Sequence, residues 1–439
     1  MTMVERVIHG NSLHVLRRLS DNSIDSVVTD PPYGLSKEPD INEVLTKWLN
    51  GEPYDHKHGG FMGKKWDSFV PHPDIWREVF RVLKPGGHAL VFAGTRTQDL
   101  MTISLRLAGF EVRDVIEWLY FSGMPKSHNV SKAFDRRAGA EREVVGMSPY
   151  YSEGRNVDNF GVAGEGTTGQ RDRSITAPAT ELAKKYSGWG TALKPAHEPI
   201  IVVRKPLIDA DTGRKLTVVD CVEKYGTGAI NIDACRIGMT ADDYESYYKK
   251  LKSFDNVADK TPLGNGITFG ESSTMTGKAD TRAVTARFPA NCVTLDSDAF
   301  YSKYFNVANI TPQELSKKAS KKDRNSDWQG DEIALEEKRA DGMQATIDGS
   351  MRTGSGNERK TVYRNHHPTV KPTDLMAWLV RLVTPPQGTV LDPFAGSGST
   401  LVSAKREGFG FIGIELSEEY IPVIEARTHV EAESDDKGA

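Results

Sequence analysis

The sequence predicts an α/β protein with a doubly wound, mostly parallel sheet, closed by segments from both ends of the chain. Three observations carry this. Apolar runs of strand length alternate with stretches of helical spacing. One run, Ile24-Asp25-Ser26-Val27-Val28-Thr29, ends in Asp30-Pro31-Pro32-Tyr33-Gly34, and another, Gly388-Thr389-Val390-Leu391-Asp392, ends in a glycine-rich loop. Both junctions are of the kind that open α/β sheets set around a ligand, at the carboxyl ends of their strands.

In chain order, Val4–Ile8 reads as a strand, and Leu13, Leu16 and Leu19 mark one face of a helix. Ile24–Thr29 is the strand that enters the Asp-Pro-Pro-Tyr turn. Residues 35–72 are rich in Gly, His and Lys, show little periodicity and read as a long loop over the site. Helical spacing returns at Trp76, Val79, Phe80 and Leu83, and Lys84-Pro85-Gly86-Gly87 is expected to stop that helix. His88–Ala93 and Phe110–Phe121 are predicted strands around a helix at Gln98–Leu107. The carboxyl-terminal part adds a helix at Asp374–Val383, two strands and two further helices.

These elements divide the chain into residues 1–124, an insertion over 125–362, residues 363–430, and an acidic tail, 431–439, expected to be without order. The insertion is polar and Gly-rich in stretches such as 161–173. Its segment 197–205, His-Glu-Pro-Ile-Ile-Val-Val-Arg-Lys, has the composition of a strand returning to the main sheet.

The composition narrows the function classes. In 439 residues, 38% are hydrophobic and the formal net charge is −4, so a nucleic-acid surface has to be local. No apolar run approaches membrane length and no signal peptide is apparent, which points to the cytoplasm. Cys221, Cys235 and Cys292 are odd in number and form no Cys-x-x-Cys pair, so neither disulfides nor a metal site is expected.

At the first junction the prolines fix the backbone and remove two donors, leaving a carboxylate, bare carbonyls and an aromatic face together. Such a cluster suits a flat ring that carries an amino group. At the second, Pro393-Phe394-Ala395-Gly396-Ser397-Gly398 lets the backbone approach a ligand, and the helix that follows offers free N–H groups to an anion. About twenty residues on, Phe409-Gly410-Phe411-Ile412-Gly413-Ile414-Glu415 ends in the acid that a Rossmann-like site sets against ribose hydroxyls.

Together with His367-Pro368-Thr369-Val370-Lys371-Pro372, these motifs resemble the DNA amino-methyltransferases, which methylate adenine N6 or cytosine N4 from S-adenosylmethionine. The catalytic motif precedes the cofactor motif, which resembles the circularly permuted β class. Gly228–Asp233 and Phe288–Val293 are similar to short blocks of phage and prophage members. The resemblance implies a permuted Rossmann-like methyltransferase fold with the insertion as the recognition region. It implies a catalytic set of Asp30, Pro31, Pro32 and Tyr33. Asp30 and the Pro31 carbonyl would accept the amino hydrogens, and Tyr33 would stack on a base flipped out of double-stranded DNA. Stacking of about 1–3 kcal/mol offsets part of an unstacking cost of a few kcal/mol.

For S-adenosylmethionine the resemblance implies Asn11, Thr369, Lys371, Asp392, Phe394, Gly396, Gly398 and Glu415. Relatives usually place Gly-Asp where this chain has Gly10-Asn11. Lys126, Arg136, Arg137, Arg359 and Arg364 are candidate phosphate contacts. The class also implies a possible homodimer, whereas a partner restriction endonuclease is not inferable from the chain. Adenine is favoured because N4 members more often carry Ser where Asp30 stands. Cytosine-N4 transfer, transfer to RNA or protein glutamine, and a non-catalytic DNA-binding or anti-restriction protein are the alternatives.

Overall fold

The computed structural model describes residues 3–34, 37–57, 67–120, 127–147, 174–238, 286–294 and 367–435, with short pieces between 306 and 365. They form two compact units, 1–120 with 197–439, and 121–196.

The larger unit is built on a ten-stranded sheet. Its strands are β1 (Glu5–His9), β2 (Ile24–Thr29), β3 (Leu83–Phe92), β4 (Glu111–Leu119), β5 (His197–Arg204), β6 (Cys292–Thr294), β7 (Asn306–Val307), β8 (Thr389–Asp392), β9 (Gly410–Glu415) and β10 (Ala432–Ser434). Their order across the sheet is β7-β6-β4-β5-β3-β2-β8-β9-β1-β10. Among them β5 alone is antiparallel, to both β3 and β4. Every residue of β2 is buried, as a central strand covered on both faces requires. Neighbouring residues take opposite faces. Val28, Leu90 and Ile200 pack in one core with Leu375, Leu379 and Leu401. Val27, Val91 and Ile201 pack in the other with Trp76, Val79 and Leu105. The doubly wound, mostly parallel sheet is therefore present, and 197–204 does return to it.

Several boundaries differ from the sequence expectation. Within 35–72, Ile41–Leu49 is a helix, capped by the Asp40 side chain, with Val44 and Trp48 buried one turn apart. Ile41, Val44, Leu45, Trp48 and Leu49 recur at i, i+3, i+4, i+7 and i+8, a helical period that the Gly, His and Lys of the surrounding residues masked. The Trp76 helix ends at Val82, and Lys84–Gly87 continues into β3 as an irregularity in its pairing with β2. The helix thus stops where Pro and Gly are expected to stop it, and the same residues also form a bulge at the start of β3.

The acidic tail is ordered at its start. β10 runs parallel to β1, with Val7 opposite Ala432, and Arg6 pairs with Glu433 at 2.7 Å. Within the span expected as one insertion, β5 and β6 join the main sheet, and Cys235 packs under the helix Thr373–Val383, its Sγ 3.9 Å from the Trp378 carbonyl.

The smaller unit packs the helix Val130–Ala138 on Glu181–Lys185 and pairs Val144–Met147 antiparallel with Ser174–Thr176. Buried Asp135 holds it together, accepting from Arg142 and from the backbone and hydroxyl of Thr180, and these bonds lower its pKa to about 2. No helix among the described residues is long and apolar enough to cross a membrane.

Candidate active site

The two strand-to-loop junctions, remote in sequence, are neighbours in the sheet. β2 and β8 run parallel, Ser26 opposite Val390 and Val27 opposite Leu391. From β8 the chain passes through the helix Ser399–Arg406 to β9 on one side, and from β2 it proceeds to β3 on the other. The strand order reverses at this seam, and the crevice at its carboxyl end is where such sheets bind ligands. A hydrogen bond crosses the seam: the Thr29 hydroxyl donates to Asp392 Oδ1 at 2.6 Å.

On the β2 side, the backbone of the Asp-Pro-Pro-Tyr turn is pinned by two residues. Asp67 Oδ1 accepts the N–H of Tyr33 at 2.8 Å and that of Gly34 at 3.3 Å, and the Thr97 hydroxyl donates to the Tyr33 carbonyl at 2.6 Å. The Tyr33 hydroxyl donates to Glu198 Oε2 at 2.9 Å. Lys371 Nζ lies 2.6 Å from Asp30 Oδ2 and 3.4 Å from Glu198 Oε2. Its ammonium also sits 5.2 Å from the centre of the Tyr33 ring and 5.1 Å from that of Phe92. Asp30 Oδ1 is buried with no hydrogen-bond partner among the described residues. Burial pushes the Asp30 carboxyl above the usual carboxylate range, against the opposing pull of Lys371. Burial acts to lower the Lys371 pKa, but Asp30 and Glu198 outweigh it and raise it.

On the β8 side, Gly396 and Gly398 adopt φ of +54° and +76°, which L side chains rarely take. A Cβ on Gly396 would also stand 3.0 Å from His367 Nε2. Gly398 is the N-cap of the helix Ser399–Arg406 and brings no side chain to cover its first N–H groups. The Gly396 N–H donates to Glu415 Oε2 at 2.8 Å, and the Ser417 N–H to Oε1 at 2.7 Å. Burial raises Glu415 to about 7 and Asp392 to about 6. Asp392 Oδ1 also accepts the Phe394 N–H at 3.1 Å, so this side chain shapes the loop.

The chain matches the family model described as DNA methylase over residues 24–426. It belongs to the DNA methylase family. The Type II methyltransferase M.HindIII of Haemophilus influenzae is 21% identical over 431 residues, 94% of this chain and 91% of that one. Type II methyltransferase M.ScaI of Streptomyces caespitosus is 36% identical over 80 residues, 18% of this chain and 26% of that protein. Among solved structures, the PvuII cytosine-N4-specific DNA methyltransferase is 14% identical with a TM-score of 0.41, covering 97% of this chain and 87% of that one. The M1.HpyAVI–SAM complex is 13% identical with a TM-score of 0.36, covering 96% of this chain and 98% of that one.

In this DNA methylase the other candidate residues fall as follows. Lys371, grouped by sequence with the cofactor residues, lies against Asp30. Asn11 caps the short helix Ser12–Leu16, its Oδ1 accepting the Leu13 N–H at 3.0 Å. Thr369 is exposed, with its N–H donated to His367 Nδ1 at 3.3 Å. Phe394 is half-buried, its ring centre 6.0 Å from that of Trp76. Arg136 and Arg137 are exposed on the helix of the smaller unit. Arg359 lies in a two-residue strand paired with Met351–Arg352, while Lys126 and Arg364 lie outside the described residues.

Sequence reasoning did not single out Glu198, Asp67, Thr97 or Thr29. Glu198 had a signal: it is the second residue of the strand flagged as returning to the sheet. Asp67 and Thr97 act on backbone atoms from loop positions, where no period exists to mark them.

Proposed function

We propose that this DNA methylase transfers a methyl group from S-adenosylmethionine to the N6 amino group of adenine, in a base flipped out of double-stranded DNA. The observation that carries the reading is the Oδ1 of Asp30, buried and without a hydrogen-bond partner among the described residues, held on a rigid proline turn beside the glycine loop. The loop fits the cofactor. Positive φ at Gly396 and Gly398 bares backbone toward the crevice, and Glu415 closes the adjacent strand as an acceptor for ribose hydroxyls. Asp392 and His367 shape that loop. When bound, the cofactor supplies a methyl group on a positively charged sulfur that leaves as a neutral thioether.

The chain's own residues supply the rest. The amino nitrogen of adenine is a poor nucleophile because its lone pair is delocalised into the ring. Asp30 accepts one amino hydrogen and the Pro31 carbonyl the other, drawing the nitrogen toward a tetrahedral form with its lone pair exposed. As the N–C bond forms, the nitrogen becomes positive and gives up one proton. Asp30, its carboxyl pushed up by burial, is the nearest acceptor and passes the proton on to water. Tyr33 stacks on the base. Adenine over cytosine rests on Asp30 itself, and recognition of the DNA sequence is assigned to the residues between the two motifs.

Expression in a methylation-free host, followed by modification-sensitive sequencing of native DNA, tests this. N6-methyladenine in one sequence context is the expected result. N4-methylcytosine would overturn the target base, and unmodified DNA the reading itself.

A pH dependence follows from Glu415. Its carboxyl is raised to about 7 in the free protein, and a hydrogen bond from a ribose hydroxyl favours the charged form. Cofactor binding therefore releases a proton, and affinity rises as pH passes from 6 to 8. Calorimetry in buffers of different ionisation enthalpy measures this, and Glu415→Gln should remove the release. For folding the sign is opposite. A carboxyl raised by burial favours the folded state below its unfolded pKa, and that advantage fades up to about pH 7.

A further inference from the structure

Glu198 reaches the active site from an element to which none of the motifs belongs. Because β5 runs against its neighbours, its first residues lie at the carboxyl ends of β3 and β4: Ile200 pairs with Phe92, and Glu198 with Trp118. Its side chain is buried among polar partners, the Tyr33 and Tyr120 hydroxyls and the Lys371 ammonium. One ammonium thus stands between two carboxylates, 2.6 Å from Asp30 and 3.4 Å from Glu198, over the Tyr33 and Phe92 rings. The groups facing it are Asp30, Glu198 and Tyr33, with Tyr120 behind Glu198 and Asp392 behind Asp30.

This arrangement conflicts with what Asp30 has to do. A charge-assisted bond to Lys371 draws electron density from the carboxylate and weakens it as an acceptor for a neutral amine. Withdrawing the ammonium with nowhere to go would strand a buried charge. Glu198 removes that penalty, since it already forms an ion pair with Lys371 at 3.4 Å and a movement of about half an ångström brings the ammonium to hydrogen-bond distance from it. We propose that Glu198 is a positioning residue that takes the Lys371 ammonium from Asp30 when the target amine enters, leaving Asp30 to act on the amine with its full charge. The inference rests on the proposed methyl transfer.

Three measurements test it. In the first, tritiated S-adenosylmethionine and methylation-free genomic DNA are given to each variant. Glu198→Gln lowers kcat about tenfold or more with little change in the KM for the cofactor. In the second, Glu198→Gln is combined with Lys371→Met. With no ammonium to relocate, Glu198 is only a like charge facing Asp30, so the double variant turns over faster than Lys371→Met alone. Losses that simply add would overturn the inference.

The third uses the cofactor-free protein: peptide mass spectrometry follows acetylation of Lys371 by an N-hydroxysuccinimide ester at pH 8. The rate rises in Glu198→Gln while that of Lys205 stays constant, and an unchanged Lys371 rate would overturn the pairing. If circular dichroism shows Glu198→Gln unfolded, Glu198→Asp takes its place. The retained charge predicts a smaller loss of kcat than Lys371→Met, and an equal loss overturns the inference. A wild-type protein that incorporates no label would instead overturn the functional reading, and the inference with it.

Discussion

Asp30→Ala should abolish methyl transfer while leaving affinity for S-adenosylmethionine within about twofold, a selective loss that marks a group acting on developing charge. The loss in kcat should be about a thousandfold or more, because the neighbouring buried carboxylates Glu198 and Asp392 are engaged by Tyr33 and Thr29, whereas Asp30 Oδ1 has no hydrogen-bond partner among the described residues. The fold should survive. Removing one partner of a buried pair is usually harmful because a charge is stranded, but Lys371 keeps Glu198 at 3.4 Å. Asp30→Asn retains a carbonyl oxygen at the same place and should fall between. Incorporation of label from tritiated S-adenosylmethionine, beside calorimetric binding of the cofactor, measures both quantities. Undiminished transfer by Asp30→Ala would remove Asp30 from the chemistry.

Gly396→Val should have the converse effect, weakening cofactor binding at least about tenfold, equivalent to about 1.4 kcal/mol. Its φ of +54° costs an L residue about 1–2 kcal/mol and is a genuine outlier for a β-branched one. The new Cβ would also press on the His367 ring, which is buried and edge-on to Tyr420 with 4.4 Å between ring centres, and so has little room to yield. The route of least resistance is a shift of the loop itself, which breaks the bond from Gly396 N–H to Glu415. Both cofactor contacts assigned to this side of the seam then move together. Unchanged calorimetric affinity would show that the loop does not hold the cofactor.

Much of this was legible in the sequence because the informative elements are local. The apolar run Ile24–Thr29 and the Asp-Pro-Pro-Tyr turn announce a strand and its exit within a dozen residues, as do Thr389–Asp392 and its glycines. Less legible was whatever depends on tertiary partners. The helix Ile41–Leu49 is not such a case: its apolar residues recur at helical spacing and could have been read, although only Val44 and Trp48 end up buried. The position of Lys371 against Asp30 could not be read from a motif, because the two residues are 341 positions apart and meet only when β2 and β8 pair. Glu198 enters through a strand whose reversed direction has no signature in its composition. The basic residues expected on DNA are surface features, and nothing local separates such groups from an ordinary solvated face.

The seam between β2 and β8 also governs how this protein comes into being on the ribosome. During synthesis β2 is a strand with one unpaired edge from Thr29 onward, since its neighbour begins only at Thr389. An exposed apolar edge of that kind invites pairing with other chains, and contacts so far apart in sequence form slowly. The nascent chain therefore has to shield its central strand until Thr389–Asp392 has been made. Until then it contains an aspartate and a tyrosine but no crevice, and it is chemically silent.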